Sequence, residues 1–266
     1  MSNLFAFPMY AVKRADNEAL TFAVRTLLAE HGVDVSHLNW NVSEDNLLSH
    51  WRHPDLLLSQ TCGFPLMTQL PDVQTVGCFH YTAPGCDGIH YRSFLVARAT
   101  DAQQMLADFK GKRVACNARD SQSGYNVLLK MVASLHHDAP FFEDVVISGS
   151  HRQSLIEITR GAADIAAIDC ITWALLQRHE PALIDGLTVI GESPPAPGLP
   201  LITAKTTTQE TLSRIRAALN DLVSATKYRQ ICDDMFIGGF SEVTRQPYTV
   251  LLDWRDEAAR KGVTHL

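Results

Sequence analysis

No apolar run in the 266 residues approaches the roughly 20 that a membrane-spanning helix needs, so insertion into a bilayer is not expected. Basic residues are not in excess: 23 Lys and Arg stand against 29 Asp and Glu, a formal net charge of -6. A chain with that balance offers no footprint for a nucleic-acid backbone, so none is expected as partner. The six cysteines (Cys62, Cys78, Cys86, Cys116, Cys170, Cys232) form no CxxC pair and lack the dense spacing of a secreted disulfide scaffold; they read mainly as free thiols. His50 with His53, and His136 with His137, lack further ligands at recognisable spacing, so no metal is expected. Met1 to Tyr10 shows no basic stretch followed by an apolar segment and a small-residue cleavage site. The expected compartment is therefore the cytoplasm for the chain as written, and the periplasm if a leader has been removed. Repeats, low-complexity tracts and charged tails are also lacking.

What is present is a hydrophobic content of 46%, enough for a large core, and a recurring order of strand, polar turn and helix. Leu4 to Met9 reads as a strand, and Leu20, Ala23, Val24, Leu27 and Leu28 then recur at helical spacing until Gly32. Asp55 to Ser59 is a continuous apolar run suited to a buried parallel strand, and Gln60 to Gly63 is its turn. Ser93 to Arg98 and Lys112 to Cys116 read as strands, with Thr100 and Gln103 boxing a helix between them. Asn117 to Gly124 is a polar loop before a helix over Tyr125 to Leu135. The pattern returns at Asp144 to Ile147 with a Ser148–Ser150 turn, and at Asp164 to Ile168 with Asp169 as cap. A last strand at Leu187 to Ile190 precedes the Pro-rich turn of residues 194–200, and Thr207 with Glu210 caps a C-terminal helix.

Alternation at this spacing predicts an α/β fold of two lobes, each a mainly parallel sheet flanked by helices. The expected division is residues 1–98 with 198–266 as a discontinuous first lobe, and 99–197 as an inserted second lobe. Right-handed crossovers put every strand-to-helix turn at the carboxyl edge of its sheet, so the turns at Ser121–Gly124, Ser148–Ser150 and Asp169 are expected to share one edge. Helix N-termini there present unpaired amides and the positive end of a dipole, which suits an anion even in an acidic protein.

Candidate ligand-binding residues follow from that placement. Ser121, Gln122, Ser123 and Gly124 form one turn, with Tyr125 as a wall; Ser150 and His151 form the next; Asp169 and Trp173 lie at the third. From the other lobe come Tyr10, then Gln60, Thr61 and Cys62, and Tyr91, Arg92 and Ser93 before the crossover. Ser and Asp at helix starts also serve simply as caps, and Tyr91 and Arg92 also suit surface cover. No base adjoins Cys62, so it reads as a small buried residue, and no catalytic residue or cofactor is expected.

The runs DLLLSQTCGFPL (55 to 66), YRSFLVAR (91 to 98), DFKGKRVACNARDSQSGY (108 to 125), SGSHRQSL (148 to 155) and GAADIAAIDCITWALL (161 to 176) resemble the phosphate/phosphonate-binding proteins of ABC importers. The resemblance extends in order along almost the whole chain. It implies a two-lobed type 2 periplasmic-binding-protein fold, a small oxyanion such as a phosphonate or phosphate ester held without catalysis in an interlobe cleft, and an ABC-transporter permease as partner. It also implies that the oxyanion is held by the Ser121–Gly124 loop and by His151, with Asp169 facing the ligand's other end. Ser-Gln-Ser-Gly replaces the more usual Ser-Thr-Ser-Gly and removes one hydroxyl donor. Two alternatives stay open: a cytosolic enzyme on the same fold, similar to chorismate dehydratases, and a sensory ligand-binding module.

Overall fold

In the computed structural model, which describes residues 3–39, 47–135 and 140–266, the chain divides into two compact units. Unit 1 comprises residues 1–82, 87–90 and 197–247; unit 2 comprises 83–86, 91–196 and 248–266. The expected pair His136 and His137 lies outside the described residues.

Unit 1 holds a six-stranded sheet of β1 (Asn3–Ala6), β2 (Leu38–Asn39), β3 (Leu56–Gln60), β4 (Val73–Tyr81), β10 (Pro200–Ala204) and β11 (Ile237–Ser241). Their spatial order is β11-β4-β10-β3-β1-β2. Pairing with β10 is antiparallel on both sides, so β4 runs the same way as β1, β2 and β3. The first helix, α1 (Arg14–Glu30), buries the expected stripe of Leu20, Ala23, Val24, Leu27 and Leu28, and the short α2 (Gly63–Thr68) follows β3. Phe79 packs against Phe7 and Phe240 at ring-centroid distances of 6.4 and 6.1 Å. Gly77 makes room for this packing, because a Cβ there would lie 2.3 Å from the Phe240 ring.

Unit 2 holds a five-stranded sheet of β5 (Ser93–Arg98), β6 (Arg113–Cys116), β7 (Asp144–Ile147), β8 (Ile165–Asp169) and β9 (Leu187–Glu192), in the order β9-β5-β8-β6-β7. Only β5 runs against the other four. Helices α3 (Val127–Ala133), α4 (His151–Thr159) and α5 (Cys170–His179) follow β6, β7 and β8. In unit 1, α6 (Gln209–Ser224) packs on α1; in unit 2, α7 (Thr249–Arg260) packs on α3.

The boundaries fall differently from the sequence-based division. Ser93 to Arg98 is paired on both sides inside the sheet of unit 2, and residues 248–266 also belong there, tied by Lys130 on α3 to Glu257 on α7. A strand's own sequence does not state which sheet it enters, and a helix's apolar stripe does not state which surface it covers. Local boundaries shift too. The expected helix after Thr100 is two short 3-10 turns, Ala99–Asp101 and Leu106–Phe109, and the capping box is Met105 with Asp108. Thr208 rather than Thr207 caps α6, because the Thr207 hydroxyl pairs with Thr203 at 2.6 Å.

Asp164 joins the strands of unit 2 at their other edge. Its carboxylate accepts from Arg98 Nη2 at 2.7 Å, from Arg113 Nη2 at 3.0 Å and from the Arg113 amide at 3.0 Å. Burial opposes the charge, yet the hydrogen bonds from Arg113 and Arg98 outweigh it and hold the carboxyl at about 2. Asp164→Ala leaves two guanidinium groups without their shared anion and is expected to destabilise the protein by about 3 kcal/mol, read by urea denaturation. An unchanged midpoint would show that the two arginines are solvated equally well without it.

Candidate functional site

The carboxyl ends of β8, β6 and β7 lie side by side because these strands are adjacent and parallel. Each therefore delivers its following turn to the same edge of unit 2. The antiparallel β5 enters the sheet there, with Ser93 in register with Asp169. Ser93, Ser121–Gly124, Ser148–His151 and Asp169 are thus brought together by topology, although residues 93 and 169 are far apart in sequence.

Hydrogen bonds connect these turns. Ser93 Oγ donates to the Ser123 carbonyl at 2.8 Å, and Ser123 Oγ lies 2.8 Å from His151 Nε2. Ser148 and Gly149 donate their amides to the Cys116 and Asn117 carbonyls, which fastens the β7 turn to the β6 turn. After β6 the chain forms a π-helical turn over Gln122–Asn126 before α3 begins, so the helix expected from Tyr125 starts with a wider winding. Such turns recur at functional sites because they re-aim amides and side chains. Gly124 is closely approached here: a Cβ at this position would lie 1.9 Å from Asn117 Oδ1, so that side chain or the turn would have to shift.

Three of the candidates act as helix caps. Ser121 Oγ accepts from the Gly124 amide at 3.0 Å, Ser150 Oγ from the Gln153 amide at 3.0 Å, and Asp169 Oδ1 from the Ile171 and Thr172 amides at 2.8 and 3.1 Å. Capping uses an oxygen lone pair, so each serine hydroxyl keeps its own hydrogen for a further acceptor. Ser150 is exposed, whereas Ser121, Ser123 and Asp169 are buried.

His151 is half-buried as a residue, but its Nδ1 is buried and makes no hydrogen bond of good geometry. Burial pushes the imidazole down to about 4, against a smaller opposing effect from the Ala167 carbonyl. In this neutral ring one nitrogen is a donor and the other an acceptor. The ring thus either receives the Ser123 hydroxyl or donates to it.

The remaining candidates of unit 2 are held by the protein itself. Gln122 Oε1 accepts from Asn126 Nδ2 at 2.7 Å, and that same amide group donates to the Leu251 carbonyl of α7 at 3.1 Å. The residue that departs from the usual serine-threonine-serine pattern is therefore built into the packing of α7. Tyr125 is buried, with its hydroxyl 3.4 Å from the Leu266 amide. Arg92 donates to the Ser193 carbonyl at 2.7 Å and lies 3.8 Å from Glu192, so its guanidinium serves strand β9. Tyr91 and Trp173 are buried.

In unit 1 the carboxyl ends of β1, β3 and β4 share one edge, which carries Tyr10, Gln60, Thr61 and Cys62. Gln60 Nε2 donates to Tyr81 Oη at 3.0 Å, and the Tyr10 ring meets the Tyr81 ring edge-on at 5.2 Å. Thr61 donates its amide to the Pro200 carbonyl, while its buried hydroxyl has no partner among the described residues. Cys62 precedes α2, is buried and takes part in no disulfide. Tyr81 was missed by sequence reasoning, although β-branched and aromatic residues through Val73–Tyr81 were a strand signal. Among the described residues no cluster of three or more His, Cys, Asp or Glu is placed to hold a metal ion.

Two outcomes are expected of this geometry. Gly124→Ala must displace Asn117 or unwind the π-turn, at a cost of about 1–3 kcal/mol in urea unfolding. An unchanged stability would mean that Asn117 moves aside freely. His50, buried beside Ser59, is also held at about 4 by desolvation and by His53. Both histidines ionise at 6.5 when unfolded, so below that pH the unfolded chain takes up protons that the native state refuses. Native stability is fully present above about pH 6.5 and declines as the pH falls to about 4. Equilibrium unfolding of the protein and of a His50→Gln, His151→Gln variant checks this, with a flatter profile expected for the variant.

A family model described as the periplasmic substrate-binding protein of phosphonate ABC transporters matches residues 73–248, well over half of the chain. Among solved structures, a binding-protein component of an ABC phosphonate transporter from Pseudomonas aeruginosa is similar, with a TM-score of 0.78 at 16% identity, covering 98% of this chain and 88% of that one. PhnD1 from Prochlorococcus marinus in complex with methylphosphonate gives 0.77 at 13% identity, covering 97% and 98%. The alkanesulfonate-binding protein SsuA from Xanthomonas axonopodis pv. citri bound to MOPS gives 0.67 at 14% identity, covering 100% and 94%. No curated protein matches the sequence. At these identities the solved structures establish the two-lobed periplasmic-binding-protein fold, and no helix among the described residues is long and apolar enough to cross a membrane. The length of the family match goes further: the chain belongs to the phosphonate ABC-transporter substrate-binding proteins.

Proposed function

We propose that this chain binds a small phosphonate or phosphate ester, without turning it over, and passes it to an ABC-type permease in the periplasm. The observation that carries the reading is the single edge of unit 2 on which three strand-to-helix turns converge with serine hydroxyls and His151. Amides at the start of α4 and α5 and around the π-turn supply positive potential, and Ser121, Ser123 and Ser150 supply donors. The resemblance implies that Asp169 faces the ligand's other end, where a carboxylate favours a neutral or cationic group.

The neutral state of His151 bears on mechanism. With Nε2 engaged by the Ser123 hydroxyl and Nδ1 buried, the ring acts on the loop through Ser123, and selectivity rests on the geometry of the donors so held. Nothing in the arrangement needs a reacting bond: the serine-histidine pair holds the loop and the ligand in place.

Calorimetry with methylphosphonate should show saturable binding, and 31P NMR should show the ligand unchanged after long incubation. Ser123→Ala should weaken binding about tenfold, and His151→Ala by about tenfold to a hundredfold, without loss of fold by circular dichroism. Absence of binding to methylphosphonate, aminoethylphosphonate and phosphate esters alike would sink the ligand assignment. A new phosphorus resonance would replace the receptor reading with an enzymatic one.

A further inference from the structure

Two of the six cysteines are held against each other in unit 2. Cys86 Sγ and Cys170 Sγ are 3.5 Å apart, although 84 positions separate them in sequence. The remaining four sit in separate buried places: Cys78 and Cys232 donate to the Phe79 and Leu222 carbonyls, and Cys62 and Cys116 are enclosed. Cys86 alone is half-exposed.

The approach of the two segments is built into the backbone. Residues 83–86 form a turn closed by the Cys86 amide on the Ala83 carbonyl at 3.1 Å. Within it Gly85 takes a φ of +91°, and a Cβ there would lie 3.1 Å from both Cys170 Cβ and the Phe94 ring. On the other side, the Cys170 amide donates to the Arg92 carbonyl at 3.1 Å, which fixes the first residue of α5 against β5. Both cysteines are thus positioned by main-chain contacts, and the sulfurs have to approach by roughly a further 1.5 Å to reach the bonding distance of about 2 Å.

We propose that Cys86 and Cys170 are a disulfide site, closed by a small-molecule or protein disulfide donor and cross-linking the 83–86 turn to the start of α5. The reaction is two successive exchanges. The Cys86 thiolate attacks one sulfur of the donor, forming a mixed disulfide and releasing one donor thiol. The Cys170 sulfur, losing its proton to solvent, then attacks Cys86 Sγ and expels the second donor thiol. Two protein thiols are oxidised and the donor disulfide is reduced to two thiols, so electrons and protons balance. The order follows from access, since a donor reaches half-exposed Cys86 first. It also follows from acidity: contact with Cys86, burial and the charge of Asp169 all raise the Cys170 thiol, which makes it the poorer first attacker.

The chemistry suits the compartment of the family, where disulfides persist. Closing the bond ties Cys86 to the residue after Asp169. Oxidation therefore fixes the cap of α5, and the consequence is read in stability whether or not the ligand assignment holds.

The test uses the full chain with oxidised glutathione at pH 8, followed by alkylation under denaturing conditions and peptide mass mapping. Two of the six thiols should become protected, with one cross-linked peptide pair joining Cys86 to Cys170 and lighter by two hydrogens. The melting midpoint should rise by about 5 °C or more on oxidation and return with dithiothreitol. Cys86→Ser should abolish both effects and keep the reduced protein's midpoint; it carries the test if Cys170→Ser does not fold. Six alkylated thiols, a glutathione adduct on Cys86 that never resolves, or a cross-link between other cysteines would overturn the assignment.

Discussion

An acidic chain that binds an anion must find positive potential in its backbone, and in unit 2 that potential depends on the shared direction of β6, β7 and β8. A helix start leaves about four amides without intrahelical partners, and a side-chain cap satisfies only one or two of them. Three such starts on separate faces would be three ordinary capped helices. Placed on neighbouring parallel strands they are held to within a strand spacing or two, about 5–10 Å, which is the scale of a phosphonate with its first shell of donors. Capping and binding are therefore compatible uses of the same turns: Ser121, Ser150 and Asp169 each neutralise part of the helix end while the rest stays available.

The one reversed strand of unit 2 matters for the same reason. Because β5 runs against β8, its first residue, not its last, arrives at the shared edge, and Ser93 faces Asp169 across the ladder. Its hydroxyl then holds the Ser123 carbonyl, and the Ser193 hydroxyl holds the Ser93 amide. A serine that sequence reasoning offered as a ligand contact is thus a brace for the loop that carries the other contacts. The opposite edge is stiffened by Asp164 between two arginines, so the sheet is fixed at both ends.

Much of this was legible in the sequence because it is local. Alternation of apolar runs with polar turns placed β3, β5 to β9 and the helices after β6, β7 and β8, and the Ser150 and Asp169 caps follow from residue type and position. What depends on long-range choice was not legible. The apolar run Ser93–Arg98 is a strand on any reading, but its membership of the second sheet is decided by pairing with Ile165–Asp169 and Leu187–Glu192. Strand β11 was unread because Gly238 and Gly239 blur its pattern, although Gly239 is opposite His80 in the ladder. The Cys86 and Cys170 contact depends on a positive φ at Gly85 and on a turn whose neighbours come from β5 and the start of α5.

The Gln122 position shows how a departure from a family pattern acquires a structural cause. A threonine there would offer a hydroxyl to the edge; glutamine instead reaches Asn126, whose amide group also holds the Leu251 carbonyl. The π-turn, α3 and α7 are linked through this one buried chain of amides, reinforced at the rim by Lys130 and Glu257. Residues 248–266 consequently belong with unit 2, and the shape of the Ser121–Gly124 loop depends on a helix more than a hundred positions away. On the proposed reading, a donor lost from the edge has become a constraint on its geometry: Ser121 and Ser123 sit on a loop fastened from behind, and His151 meets Ser123 from the neighbouring turn. Selectivity in such a site comes from the fixed separation of a few donors rather than from their number, because a rigid donor set loses affinity steeply when the acceptor oxygens are misplaced.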